Sequence, residues 1–183
     1  MSVSQLDNRV ALVVVDLQKG LQSIPMVRPW SEVVSRSAEL ARAFRERNFP
    51  VVLVNVTGAA PGRTEGGHRM DSLPHDWAEL VPELGAVDSD HRVSKQTWGA
   101  FTGTGLEDHL RKLGVTQVVI AGVATSMGVE STARQAHELG FHVVVATDAI
   151  TDPDQNAHLQ SVSTFAKLGE TAPTAQLLNL LAG

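Results

Sequence analysis

Cysteine does not occur anywhere in the 183 residues, which excludes disulfides, thiolate metal sites and a cysteine nucleophile. Long apolar runs are missing as well: the longest are strand length, far short of a membrane span. The first residues, MSVSQLDNRV, lack the basic region and apolar stretch of a leader. Positive charge is scarce, since 15 Lys and Arg against 20 Asp and Glu give a formal charge of −5 with no basic stripe. A nucleic-acid or anionic-membrane partner is therefore not expected. No low-complexity linker or internal repeat divides the chain. What is present is 43% hydrophobic residues in a length that suits one domain, enough to bury a real core. The expectation is a single cytoplasmic domain over residues 1–183, acting on a small molecule through a small site.

Strand-like and helix-like segments alternate along the chain. VALVVV (10–15), VVLVNV (51–56), VVIAGV (118–123) and VVVAT (143–147) are continuous β-branched runs, as expected for strands covered on both faces. HRVSK (91–95) is a weaker strand, and GET (169–171) is a short last one. Helical patterns cover about 31–47, 105–113, 127–139, 153–166 and 173–182. Thr104 and Glu107 have the spacing of a capping box, and Asp152 before Pro153 reads as an N-cap with a first-turn proline. A βα repeat of this kind predicts a parallel sheet with helices on both faces. Residues 57–90 break the pattern. They are glycine-rich and polar, helical only around DWAELV, and a long irregular insertion of this sort is expected to form a wall of a site.

Ligands of open parallel sheets bind outside the carboxyl ends of the strands. Asp16, Lys95 and the turn from Ala124 to Gly128 all stand at such ends. An Asp there is as often a turn former, and a Lys is usually solvated, but their joint placement beside a helix N-terminus favours a shared site. Arg63 and Arg69 are the best loop cations for a substrate carboxylate. Ala124-Thr125-Ser126-Met127-Gly128 also varies the G-x-S-x-G elbow, with Asp148 or Asp152 and then His158 following in the Ser, acid, His order. That serine-hydrolase alternative leaves Asp16 and Lys95 without a role. His68, His75 and His91 do not have ligand spacing, so no metal is expected, and Gly103-Thr104-Gly105 lacks the third glycine of a dinucleotide fingerprint, so no cofactor is expected.

VVVDLQKG, SKQTWGAFTGTGLEDHL and AGVATSMGVESTARQAHELGFHVVVATDA, in that order, resemble the three signature blocks of the isochorismatase-like hydrolases within the cysteine hydrolase superfamily. The resemblance covers nearly the whole chain and implies a Rossmann-like three-layer α/β/α fold with a mostly parallel, roughly six-stranded sheet, usually in a homo-oligomer. Most members are amidases with a cysteine nucleophile, which would stand at Gly128, and an Asp and a Lys matching Asp16 and Lys95. Trp98, Phe101, Val123, Ala124 and Ser126 fall at substrate-binding positions, and the Val123–Ala124 peptide is expected to be cis.

The isochorismatase branch works without the cysteine: an aspartic acid protonates the methylene carbon of a vinyl ether, and water adds to the resulting cation. Asp16 would be that acid and Lys95 its electrostatic partner. Two departures set this chain apart. Its GVATSMG turn is closer to the amidase branch, and Ala60 precedes Pro61-Gly62 where isochorismatases carry a glutamine. Nicotinamidases of the family bind a metal through an Asp-x-His pair in the region where this chain has Thr57, Gly58 and Ala59. A pseudoenzyme that keeps the pocket for ligand binding is the remaining alternative. Gly128 itself reads either as a helix-start glycine or as a residue that makes room for substrate. Burial raises the pKa of a carboxyl group and a nearby ammonium lowers it, so the state of Asp16 depends on packing.

Overall fold

The computed structural model describes residues 3–65 and 73–183. Six strands, β1 (Val10–Val15), β2 (Val51–Val56), β3 (His91–Lys95), β4 (Gln117–Val123), β5 (His142–Thr151) and β6 (Glu170–Ala172), form one sheet in the order β3-β2-β1-β4-β5-β6. Every neighbouring pair runs parallel. Five helices cover it: α1 (Trp30–Glu46), α2 (Leu106–Lys112), α3 (Glu130–Glu138), α4 (Gln155–Leu168) and α5 (Thr174–Ala182).

Alternate residues of the strands separate the core into two layers, because successive side chains point to opposite faces. Leu12, Val14, Leu53 and Val119 meet Val33, Leu40 and Phe44 of α1 and Leu177 of α5 on one face. Ala11, Val13, Val54, Val93 and Ile120 meet Leu106 and Leu110 of α2, Ala133 of α3 and Phe165 of α4 on the other. All six residues of β1 are buried, which explains why its sequence is apolar without alternation.

The three-layer expectation is met, with differences in detail. β5 continues four residues past the expected break at 147, through an irregularity in which Ile120 pairs with Val145 but Gly122 pairs with Ile150. The polar Thr147-Asp148 pair sits in that bulge, and Asp148 accepts hydrogen bonds from the N–H and hydroxyl of Thr174 at the start of α5. The segment around DWAELV is a set of turns rather than a helix, followed by a 3-10 turn at Pro82–Leu84. It is docked on the end of β1. The Trp77 ring lies against Gly20, where a Cβ would meet it at 2.0 Å, and Gln18 is completely buried. The Gln18 amide accepts the Val56 N–H and donates to the carbonyls of Val56 and Trp77.

Neither capping expectation holds. Gly105, with φ 73°, takes the position before α2, and Thr104 Oγ1 donates to the Ala100 carbonyl at 2.6 Å while accepting the Leu106 N–H at 3.3 Å. Asp154 caps α4 by accepting the Ala157 N–H at 2.8 Å, which leaves Asp152 free for another task.

Candidate active site

The chain passes outward from β1 to β3 on one side and then returns to place β4 on the other, so the order reverses between β1 and β4. That crevice is where open α/β sheets bind ligands. Asp16 ends β1 and the Ala124–Gly128 turn follows β4, so both sit at the reversal point.

Asp16 keeps its strand hydrogen bond, N–H to the Val54 carbonyl at 2.9 Å, and then turns with φ 54°. Asp tolerates this left-handed conformation better than most residues, and it directs the carboxyl group inward instead of along the strand. Lys95 ends β3, on the same face of the sheet as Val93. Two strand spacings separate β3 from β1, roughly 10 Å in all, so only a long side chain spans the distance. Lys95 Nζ reaches Asp16 Oδ2 at 2.7 Å and also donates to the Thr97 carbonyl at 3.0 Å. Both residues are buried, at 5% and 2% exposure.

The other carboxyl oxygen, Asp16 Oδ1, is buried and has no hydrogen-bond partner among the described residues. Burial pushes the Asp16 pKa up to about 6, against the charge and hydrogen bond of Lys95, which lower it. Desolvation thus outweighs the ion pair, and the group is poised to hold or release a proton close to neutrality.

The turn after β4 begins at a cis Val123–Ala124 peptide, as the resemblance implied. Residues Thr125–Val129 then make one wide π-type turn before α3, in which the Val129 N–H bonds the Ala124 carbonyl at 3.1 Å. Such an inserted residue is a common mark of functional sites. The turn is less open than a bare helix N-terminus would be. The Met127 N–H is also taken by the Ala124 carbonyl, and the Ser126 N–H is taken by Asp152 Oδ2 at 2.7 Å. Gly128 is buried against the acid: a Cβ there would lie 3.1 Å from Asp16 Oδ2 and 3.0 Å from both Val123 O and Val15 Cγ1. The glycine therefore lets the turn close onto the carboxyl group rather than leaving a wide space.

The sequence marks Asp152 only as a cap or a triad acid, and the structure gives it a further place in this turn. It accepts the Ser126 hydroxyl at 2.8 Å as well as the N–H, and its second oxygen accepts the Asp154 N–H. His158 meets Thr125 Oγ1 through Nδ1 at 2.9 Å, not Ser126. The Ser, acid, His order in the sequence does not assemble into a Ser–His contact, and Asp148 is occupied at α5.

The remaining expected residues are spread around the rim. Val123 is fully buried and Ala124 half-buried. Trp98 is 63% exposed, while the Phe101 ring leans on Phe141 at 5.9 Å and joins the core layer under α2. Arg63 is exposed on the loop after β2, and Arg69 and His68 lie outside the described residues. Among the described residues no cluster of three His, Cys, Asp or Glu side chains could hold a metal ion. His91 lies at the opposite edge of the sheet, stacked on His109 at 3.5 Å.

A model of the isochorismatase domain matches residues 10–176. YwoC of Bacillus subtilis, an isochorismatase family protein, is 38% identical over 93% of this chain and 93% of its own. Nicotinamidase 3 of Arabidopsis thaliana is 30% identical over 85% of this chain and 80% of its own. A solved isochorismatase family protein from Burkholderia thailandensis covers the whole of both chains with a TM-score of 0.95 at 39% identity.

Proposed function

Because the chain belongs to the isochorismatase family of hydrolases, and has no cysteine, we propose that it cleaves a small vinyl ether, such as isochorismate, with Asp16 as general acid. The observation that carries this reading is the buried Asp16 carboxyl group, raised to about 6, with one oxygen held by Lys95 and the other without a partner among the described residues. Oδ2 accepts from an ammonium, so the proton of the acid form resides on Oδ1. That is the oxygen free to give it to a substrate.

In the proposed reaction the proton moves from Oδ1 to the methylene carbon of the vinyl ether. The C=C electron pair forms the new C–H bond, and an oxocarbenium ion develops at the ether carbon. Lys95 stabilises the carboxylate left behind. Water adds to the cation and loses a proton, and the hemiketal breaks its C–O bond to yield a ketone and an alcohol. The proton balance is restored at Asp16. The thiol route of the family's amidases needs a sulfur nucleophile at the Gly128 position, which this chain does not have. Gly128 instead allows backbone and carboxyl group to pack at contact distance.

The tight packing around Gly128 also favours a second reading, a protein that binds a small ligand without turning it over. Assay with isochorismate separates the two. Turnover should fall by about 10²- to 10⁴-fold in Asp16→Asn, the usual contribution of general acid catalysis. Binding without ketone formation in the wild type would support the second reading. The family resemblance further supports a homo-oligomer, which light scattering would establish.

A further inference from the structure

The segment from Gln96 to Gly105, between β3 and α2, carries Trp98 and leads directly from Lys95, yet it has no strand ladder to hold it. Its hydrogen bonds go to α3 instead. Thr132, completely buried and one turn beyond Gly128, accepts the Ala100 N–H at 3.1 Å and donates to the Gly128 carbonyl at 2.6 Å. Gln135, one turn further on, accepts the Phe101 N–H at 3.0 Å and donates to Thr102 Oγ1 at 2.6 Å. Gly99 is pressed so closely on the Gln135 amide that a Cβ would lie 2.1 Å from Oε1. Within the segment, Thr97 Oγ1 donates to the Gly99 carbonyl at 2.9 Å, and the Thr97 carbonyl receives Lys95 Nζ.

A continuous set of contacts thus runs from the Gly128 carbonyl through Thr132 to Ala100, and from Gln135 through Phe101 and Gly99 to Thr97 and the Lys95 ammonium. We propose that Thr132 and Gln135 are positioning residues, a latch from α3 that holds the 97–102 turn and thereby keeps Lys95 in register with Asp16 and Gly128. An ammonium has three donors, and two of them are used here, by Asp16 and by the Thr97 carbonyl. Removing the second anchor frees a side chain with large rotamer entropy to leave the first. The inference rests on the reading of Asp16 and Lys95 as the reacting pair, but it can be tested without substrate.

The test is a carbon-detected NMR titration of the Asp16 carboxyl group in the full chain, with the signal assigned by its loss in Asp16→Asn. A contacting ammonium lowers a carboxyl pKa by about 1–3, so a displaced Lys95 gives an about 10- to 10³-fold higher proton affinity at Asp16. Thr132→Val, which keeps the shape and loses the hydroxyl, and Gln135→Ala should both show that increase. Thr132→Ser should titrate as the wild type does, and Lys95→Met sets the upper limit. If Thr132→Val fails to fold, half-buried Gln135 still decides the matter through Gln135→Ala. A lower melting temperature with an unmoved Asp16 titration would reduce both residues to a structural role and overturn the proposal. A shift to lower pKa would also overturn it, since that would mean water entering the pair rather than the ammonium leaving. Failure to turn over isochorismate would leave either result intact.

Discussion

Asp16 combines three unusual features: a left-handed backbone, near-complete burial, and an ion pair with Lys95 that does not cancel the cost of burial. The position at a strand end was legible in the sequence, as was its neighbourhood with Lys95 and Gly128. The direction of the pKa shift was not, because it depends on how completely the turn after β4 closes over the carboxyl group. The raised value carries a consequence for stability. Between the ordinary 3.8 and about 6 the folded chain holds a proton that the unfolded chain has released. The stabilisation is present at the acid end and is lost as pH rises through about 6, a change on the order of 3 kcal/mol. Urea unfolding at a series of pH values should show this fall in the wild type. In Asp16→Asn the corresponding slope should be missing.

Among the elements, continuous β-branched runs mark four strands, the fourth ending short of the observed β5; the weaker HRVSK run matches β3, and the sixth strand begins one residue later than GET suggests. What escaped sequence reading were features made by side chains meeting distant backbone. The π-type turn adds one residue without disturbing the apolar spacing of α3, so the helix was expected from 127 and begins at Glu130. Asp152 and Asp154 are both cap formers by type, and only the approach of Ser126 assigns the first to the turn and the second to α4. Asp154→Ala should cost about 1 kcal/mol, the usual loss of a cap. Asp152→Ala should cost more in the same thermal melts, because it leaves the buried turn without its acceptor. Gly122 is a sharper case. Its φ is 111° and an added Cβ would lie 2.0 Å from the Val15 carbonyl oxygen, so that β1 and β4 come this close only with glycine. Gly122→Ala should destabilise by about 3 kcal/mol or more, or prevent folding.

At the level of the whole molecule, the sheet order brings together residues 79 positions apart, Asp16 and Lys95, at the point where the strand order reverses. The parallel three-layer architecture was legible because buried strands and amphipathic helices alternate along the chain. The latch from α3 to the 97–102 turn was not, since Thr132 and Gln135 sit in an ordinary helical pattern and acquire their partners only when the layers pack. The fold thus supplies a buried acid, its ammonium and a glycine turn in contact, and the central claim is that this acid delivers the proton. The pH dependence of kcat/KM for vinyl-ether cleavage tests it most directly. Because the protonated form is the reactive one, the rate should decline as pH rises through about 6, and the decline should vanish with the activity in Asp16→Asn. A rate that stays level from pH 5 to 8 with Asp16→Asn as active as the wild type would contradict the account.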